Sequence, residues 1–238
     1  MNRLKETIPN AITAFNLIAG LLAVIAVLEN NLLLAAVFVV AGIIFDFFDG
    51  FAARILEVKS ELGKQLDSLA DLVTSGVVPG LTIFMLLNTH SYTLEEILKY
   101  NPLPLIGLLI TVGAAFRLAY FNIDTRQADH FIGLPTPASA LLVLSIPCML
   151  AYPTIPGLEG FLMSPYFLIG LSVFLPIVMN AQLELFSLKF DHFGWEGNQI
   201  RYAFLLVSIG LIGWLHFTGM AVVILLYILS GIIIKSPD

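Results

Sequence analysis

Four aspartates, Asp46, Asp49, Asp67 and Asp71, stand inside long apolar runs, where ionisable side chains do not belong. At the centre of a membrane-spanning segment such a group costs at least ~2.5–3.5 kcal/mol, so its retention points to function. Asp46, Asp49, Gly50 and Ala53 are offset by three, four and seven residues and share one helical face. Gly63, Asp67 and Asp71 are offset by four and eight, and Thr74 and Ser75 extend the same stripe. The connection from Ile55 to Leu62 is short enough for the two acidic faces to oppose each other. Four carboxylates in one small pocket repel, and bound cations are the usual remedy. Hard carboxylate oxygens suit Mg²⁺, Mn²⁺ or Ca²⁺ rather than zinc. Glycine and alanine on the same face remove bulk and let a ligand approach the backbone. The plainer alternative is a set of buried salt bridges to Arg54, Lys59 and Lys64.

The elements that carry these residues are membrane helices. The 238 residues are 58% hydrophobic and 12% charged, with a mean hydropathy of +0.94, whereas a soluble domain carries about 25% charged residues. Apolar runs near 10–28, 32–54, 66–88, 103–122, 136–153, 165–185, 201–216 and 219–235 approach the roughly 17–25 residues that span a bilayer. They predict an all-α polytopic bundle of eight helices, with six as the fallback, in one domain over 1–238; the last 34 residues could also form one long tilted helix. His216-Phe217-Thr218-Gly219 instead suggests a tight hairpin there. The basic start followed by an apolar run lacks a small-residue cleavage site and predicts an uncleaved first helix. Lys and Arg are retained on the cytoplasmic side. Arg3, Lys5, Arg54, Lys59, Lys64, Arg117, Arg126, Lys189, Arg201 and Lys235 fall on one side and Lys99 alone on the other, which predicts cytoplasmic termini and a cytoplasmic acidic site. Thr93 to Lys99 is expected to form a small interfacial helix on the outer side. One cysteine, Cys148, excludes a disulfide framework and a cysteine zinc cluster, and no extended basic tract suggests nucleic acid.

The pattern Asp46-x2-Asp49-Gly50-x2-Ala53-Arg54-x8-Gly63-x3-Asp67-x3-Asp71 resembles, without gap or substitution, the signature of the CDP-alcohol phosphotransferase family. The resemblance implies two divalent cations, Mg²⁺ or Mn²⁺, and a CDP-linked donor. It assigns Asp46, Asp49 and Asp67 as metal ligands and Asp71 as both a ligand and the base that deprotonates an acceptor alcohol. Gly50, Ala53, Arg54 and Gly63 would line the nucleotide and phosphate region. Further stretches, Ile8 to Thr13, Phe116 to Asn122, Phe131 to Ala140 and Lys189 to Arg201, are similar to the membrane-embedded branch of that family that transfers the phosphatidyl group of CDP-diacylglycerol to serine. The family further suggests a homodimer.

Outside the signature, Arg117 is suited to bind an acceptor carboxylate or a phosphate, or to snorkel to the interface. Gly133, Pro135 and Thr136 open a helix whose freed amides could accept an anion, or simply turn the chain. Asn10 and Thr13 could reach the cytidine or ribose, or cap the first helix. Asp124, Arg126 and His130 are expected to be solvated, and His90 and His216 to lie away from the aspartates. None of the four histidines is followed two residues later by lysine, which excludes the phospholipase-D-like His-x-Lys-x4-Asp chemistry. Within the resemblance, glycerol 3-phosphate or an inositol phosphate is the competing acceptor and an archaeal ether lipid the competing donor. An ion-coupled transporter is the competing class. Transporters place acidic sites near the midplane within repeats, and no internal repeat is evident here.

Overall fold

The computed structural model describes residues 2–58, 60–90, 92–123, 131–185, 194–195 and 198–233. Lys59, Asp124, Arg126, His130, Lys189 and Lys235 lie outside the described residues. The chain runs α1 (Asn2–Leu28), α2 (Leu32–Ile55), α3 (Glu61–Asp71), a π-helical turn (Leu72–Val77), α4 (Val78–Leu87), α5 (Leu94–Tyr100), a 3₁₀ turn (Leu103–Gly107), α6 (Leu108–Ile123), β1 (Phe131–Ile132), α7 (Thr136–Ala151), α8 (Leu158–Leu162), α9 (Pro165–Asn180), β2 (Glu184–Leu185) and α10 (Gln199–Ile233).

A turn with Asn30 in the left-handed region (φ 57°) reverses the chain between α1 and α2. Asn31 then caps α2, its side chain accepting the Leu34 amide at 3.1 Å. Ser60 does the same for α3 through the Gly63 amide at 3.2 Å. α1 packs along α2 and also against α3, and the two acidic helices thus share one backing element. α3, the π turn and α4 form one continuous rod from Glu61 to Leu87. The π turn has a local cause. Pro79 lacks an N–H, and its ring crowds the carbonyl four residues back. The helix widens, and the Val78 amide reaches Val73, five residues back. The Thr111 hydroxyl of α6 donates to the Gly76 carbonyl in this turn at 3.0 Å.

Two apolar clusters hold the bundle. One joins α4, α6, α7, α9 and the end of α10 through Ile83, Ile110, Val143, Leu175 and Ile224. The other joins α1, α2, α4 and α7 through Val27, Val39, Val78 and Leu144. The outward faces stay apolar, with Leu206, Ile209 and Trp214 more than 70% exposed, as suits a surface solvated by lipid. β1 and β2 form one short antiparallel pair that ties the entry of α7 to the segment after α9. α5 occupies the predicted interfacial stretch. It opens with a capping box, and the Thr93 amide and hydroxyl both donate to Glu96, which holds that carboxyl below its ordinary range.

α10 is not straight. His216 sits at φ 49°, ψ −121°, the Phe204 and Tyr227 rings approach to 6.0 Å, and Gly219 packs against the Leu211 carbonyl. Residues 23 apart would be separated by roughly 35 Å along one straight helix, so the chain doubles back at His216. By length and hydropathy, five helices among the described residues are able to cross a membrane: Lys5–Leu28, Leu32–Ile55, Glu61–Leu87, Leu103–Ile123 and Gln199–Gly231. The hydropathy pattern predicts eight. The difference lies in Thr136–Ala151 and Pro165–Asn180, shorter apolar helices of 16 residues each, and in the folded α10. The protein is an integral membrane protein of helical bundle architecture.

Candidate functional site

The opposed acidic faces meet. One carboxylate oxygen from each of Asp46, Asp49 and Asp67 lies within 4.8 Å of the other two, and the Asp46 and Asp67 carboxyls come within hydrogen-bonding range. Like charges at that separation repel by roughly 3–4 kcal/mol per pair at an effective dielectric near 20. The buried Asp67 Oδ1 has no hydrogen-bond partner. Three converging hard oxygens, one of them buried and unsatisfied, are the donor set that a divalent cation satisfies. Thr13 donates to Asp49 Oδ2 at 2.5 Å and thereby orients it. The salt-bridge alternative finds little support: Lys64 donates instead to the Asn122 carbonyl at 2.6 Å, and Arg54 is exposed.

Asp71 stands apart from this group of three. It is buried, and Asn16 of α1 donates to its Oδ1 at 3.1 Å. Asn16 is fully buried and accepts in turn from the Thr74 hydroxyl at 2.8 Å. Close packing of α1, α2 and the π turn makes this possible. A Cβ on Gly42 would fall 2.6 Å from Thr74 Cγ2 and 2.9 Å from Asn16 Oδ1, and one on Gly20 would meet Thr74 as well.

Two cavities flank the carboxylates. The first, about 160 Å³, lies between α1, α2 and the start of α3, and is lined by Asn10, Thr13, Asp49, Gly50, Ala53, Gly63, Lys64 and Asp67, among others. Nothing lies within 4 Å of where a Gly50 side chain would begin, so that glycine opens space. Gly63 instead admits Asn10, whose Oδ1 would lie 2.9 Å from a Cβ there. The second cavity, about 360 Å³, lies between α2, α3, α6 and the start of α7, lined by Asp46, Asp67, Asp71, Arg117, Leu118, Phe121, Pro135, Thr136 and Pro137. Asp67 borders both.

The structure therefore gathers Asn10, Thr13, Gly50, Ala53 and Gly63 on one side and Arg117, Pro135 and Thr136 on the other. It leaves Arg54 outside both cavities. Gly133 also lines neither. Its φ of +76° and its contact with the Met179 carbonyl make it a backbone position, with its amide on the Leu183 carbonyl at 2.8 Å. Arg117 is 5% exposed, with its guanidinium over the Phe121 ring, so it does not snorkel. Asn10 and Thr13 do not cap α1, which begins at Asn2. The spacing predicts Thr74 on the stripe of Asp67 and Asp71, whereas Asn16 carries no predicted role, although a polar Asn16 three residues after Thr13 marks the same face of α1.

Comparison with known proteins bears on the site. A family model described as CDP-alcohol phosphatidyltransferase matches residues 6–179. A CDP-diacylglycerol–serine O-phosphatidyltransferase of Bacillus subtilis (strain 168) is 39% identical over 156 residues, which cover 62% of this chain and 81% of that protein. One from Helicobacter pylori (strain J99) is 30% identical over 227 residues, 94% of this chain and 89% of its own length. A third, from Methanocaldococcus jannaschii, is 36% identical over 138 residues, 58% of this chain and 59% of its own.

Proposed function

The chain belongs to the CDP-alcohol phosphatidyltransferase family, and on that premise we propose that it transfers the phosphatidyl group of CDP-diacylglycerol to the hydroxyl of L-serine, giving phosphatidylserine and CMP. The observation that carries this reading is the cavity in which Asp71 and Arg117 face one space beside the carboxylate cluster. A zwitterionic amino acid needs both an anion-binding and a cation-binding wall, and a hydroxyl between them. Arg117, with the entry of α7 at Pro135 and Thr136, supplies the anionic substrate group's partner. Asp71 lies across the cavity for the hydroxyl. A phosphorylated polyol would call for clustered basic residues, and Arg117 is the one arginine or lysine on the described lining of this cavity. The curated relatives that carry serine in their names favour the same acceptor.

Asp46, Asp49 and Asp67, with Asp71 as a further ligand, would hold two divalent cations, Mg²⁺ or Mn²⁺, which when bound neutralise the diphosphate and the departing CMP. The chain's own residues do the rest. Asn10, Thr13, Gly50, Ala53 and Gly63 receive the CDP moiety, and Arg54, exposed and outside the cavity, would reach it only from the rim. Asp71 takes the serine hydroxyl proton as the serine oxygen bonds to the phosphatidyl phosphorus and the bond to the CMP oxygen breaks. A positioned carboxylate suits this because a serine hydroxyl is a poor nucleophile at neutral pH.

The domain over 1–238, eight crossings, cytoplasmic termini, a cell-membrane location with the site facing the cytoplasm, and a homodimer belong to the same proposal. Thiol labelling of Glu57→Cys and Lys99→Cys in intact cells, in a Cys148→Ser background, tests the sidedness; external labelling at 57 overturns it. The function is tested with purified protein, CDP-diacylglycerol, Mn²⁺ or Mg²⁺ and a panel of acceptors, reading CMP release. Serine-dependent release is expected. Release with glycerol 3-phosphate and not serine would reassign the acceptor, and an ether-lipid donor that outperforms the diacyl one would reassign the donor.

A further inference from the structure

We infer that Asn16, with Thr74, is a positioning residue that holds Asp71 toward the cavity it shares with Arg117, Asp46 and Asp67; this rests on the reading of Asp71 as base. The orientation of the Asn16 amide follows from what each neighbour can do. A carboxylate only accepts, so the Asn16 nitrogen must face Asp71 Oδ1, 3.1 Å away. The Asn16 oxygen then faces the Thr74 hydroxyl at 2.8 Å, which must donate to it. That hydroxyl also lies 3.1 Å from the Ala70 carbonyl, the ordinary helical partner of a threonine. Its single proton serves one acceptor. Sent to Ala70, it would leave the Asn16 oxygen without a donor from Thr74.

The surroundings fix this arrangement rather than merely permit it. Asn16 and Thr74 are fully buried, so an alternative amide orientation has no water to compensate it. Gly20 and Gly42 leave no room for side chains beside Thr74. The π turn begins directly after Asp71, so Thr74 sits on a widened helix whose phase differs from that of the α-helical stripe carrying Asp67 and Asp71. With one oxygen occupied by Asn16, Asp71 borders the second cavity and not the first.

The test uses full-length protein in detergent or vesicles. It compares Asn16→Leu, Thr74→Val and Thr74→Ser, with equilibrium binding of CDP-diacylglycerol and thermal unfolding measured beside turnover. Asn16→Leu is expected to lower kcat by about 20–200-fold and Thr74→Val by about 5–20-fold, as for groups that orient a general base rather than act as one. Donor affinity and the half-saturating Mn²⁺ concentration should stay within about threefold, and Thr74→Ser, which keeps the hydroxyl, should return within about threefold of wild type. In an Asp71→Asn background, Asn16→Leu should change the residual rate less than about twofold, because it acts through Asp71. Wild-type kcat in folded Asn16→Leu, a loss matched by loss of donor or Mn²⁺ affinity, or a full independent loss in the Asp71→Asn background would each overturn the inference. If Asn16→Leu does not fold, the Thr74 pair decides: equal rates for Val and Ser overturn it. An acceptor other than serine would refute the serine reading alone, with the same variants assayed on that acceptor. Undiminished turnover in Asp71→Asn would refute the base reading instead.

Discussion

The two cavities that meet at Asp67 are built from different materials. The one beside α1 is small and lined by Gly50, Ala53 and Gly63, by the neutral polar groups of Asn10 and Thr13, and by Glu6, Asp49, Asp67 and Lys64. The one beside α6 and α7 is more than twice as large and sets Arg117 against Asp46, Asp67 and Asp71. Each lining carries three carboxylates and one cation; the first adds small residues that open backbone access, and the second encloses the larger space. A diphosphate entering the first cavity meets few protein cations, so its binding depends on ions held by the carboxylates. A small acceptor entering the second meets fixed charges of both signs. The two substrates should therefore lose affinity to different perturbations.

That division can be broken in four ways. Chelation by EDTA should abolish CMP release altogether, with Mg²⁺ or Mn²⁺ restoring it; activity surviving exhaustive chelation would remove ions from the donor side. Asp71→Asn should cut transfer by roughly 10²–10⁴ while equilibrium binding of CDP-lipid persists, since the change touches the second cavity only. Arg117→Gln should raise the acceptor KM by about 10–150-fold, the scale of losing one charge-assisted hydrogen bond, and leave the donor KM within about threefold. A comparable rise in donor KM would show that Arg117 serves the diphosphate. Thr13→Val should raise the donor KM by only about 2–10-fold, because Asp49 keeps its place in the cluster and loses one orienting hydrogen bond. An effect on acceptor KM alone would reverse the assignment.

Much of this site was legible because the aspartates obey helical arithmetic: three-, four- and seven-residue offsets survive translation into structure when both helices share α1 as a backing. Asn10 and Thr13 were open to a nucleotide role or to capping α1, and their place beside Asp49 and Asp67 emerged only with the packing of α1. Asn16 was not, since one amide inside an apolar run is indistinguishable from a packing oddity until its partner, on a helix 55 residues later, is brought against it. The continuation of the acidic stripe through Thr74 and Ser75 assumed 3.6 residues per turn, and Pro79 undid that assumption by widening the helix behind Asp71. Gly133 was open to either a ligand role or a plain turn, because sequence does not show which glycine faces a cavity and which a neighbouring carbonyl; its φ of +76° against the Met179 carbonyl favours the turn. The reversal at His216 was legible from its neighbours, Thr218 and Gly219.

Helix length also differs across the molecule, and that asymmetry acts on the solvent rather than on the substrate. α1 and α2, with 27 and 24 residues, extend roughly 36–40 Å, whereas α7 and α9, at 16 residues each, extend about 24 Å. A hydrocarbon layer near 30 Å fits neither. α7 is buried within the bundle, but α9 exposes Tyr166, Phe174 and Ile177, so lipids against α9 are drawn thin and those beside α1 and α2 are stretched or met by tilt, at a fraction of a kcal/mol per Å. The protein thus carries a thickness gradient around its girth. Turnover should respond to the acyl length of the host bilayer even when the donor itself is unchanged, with an optimum in membranes thin enough to meet α9 without strain.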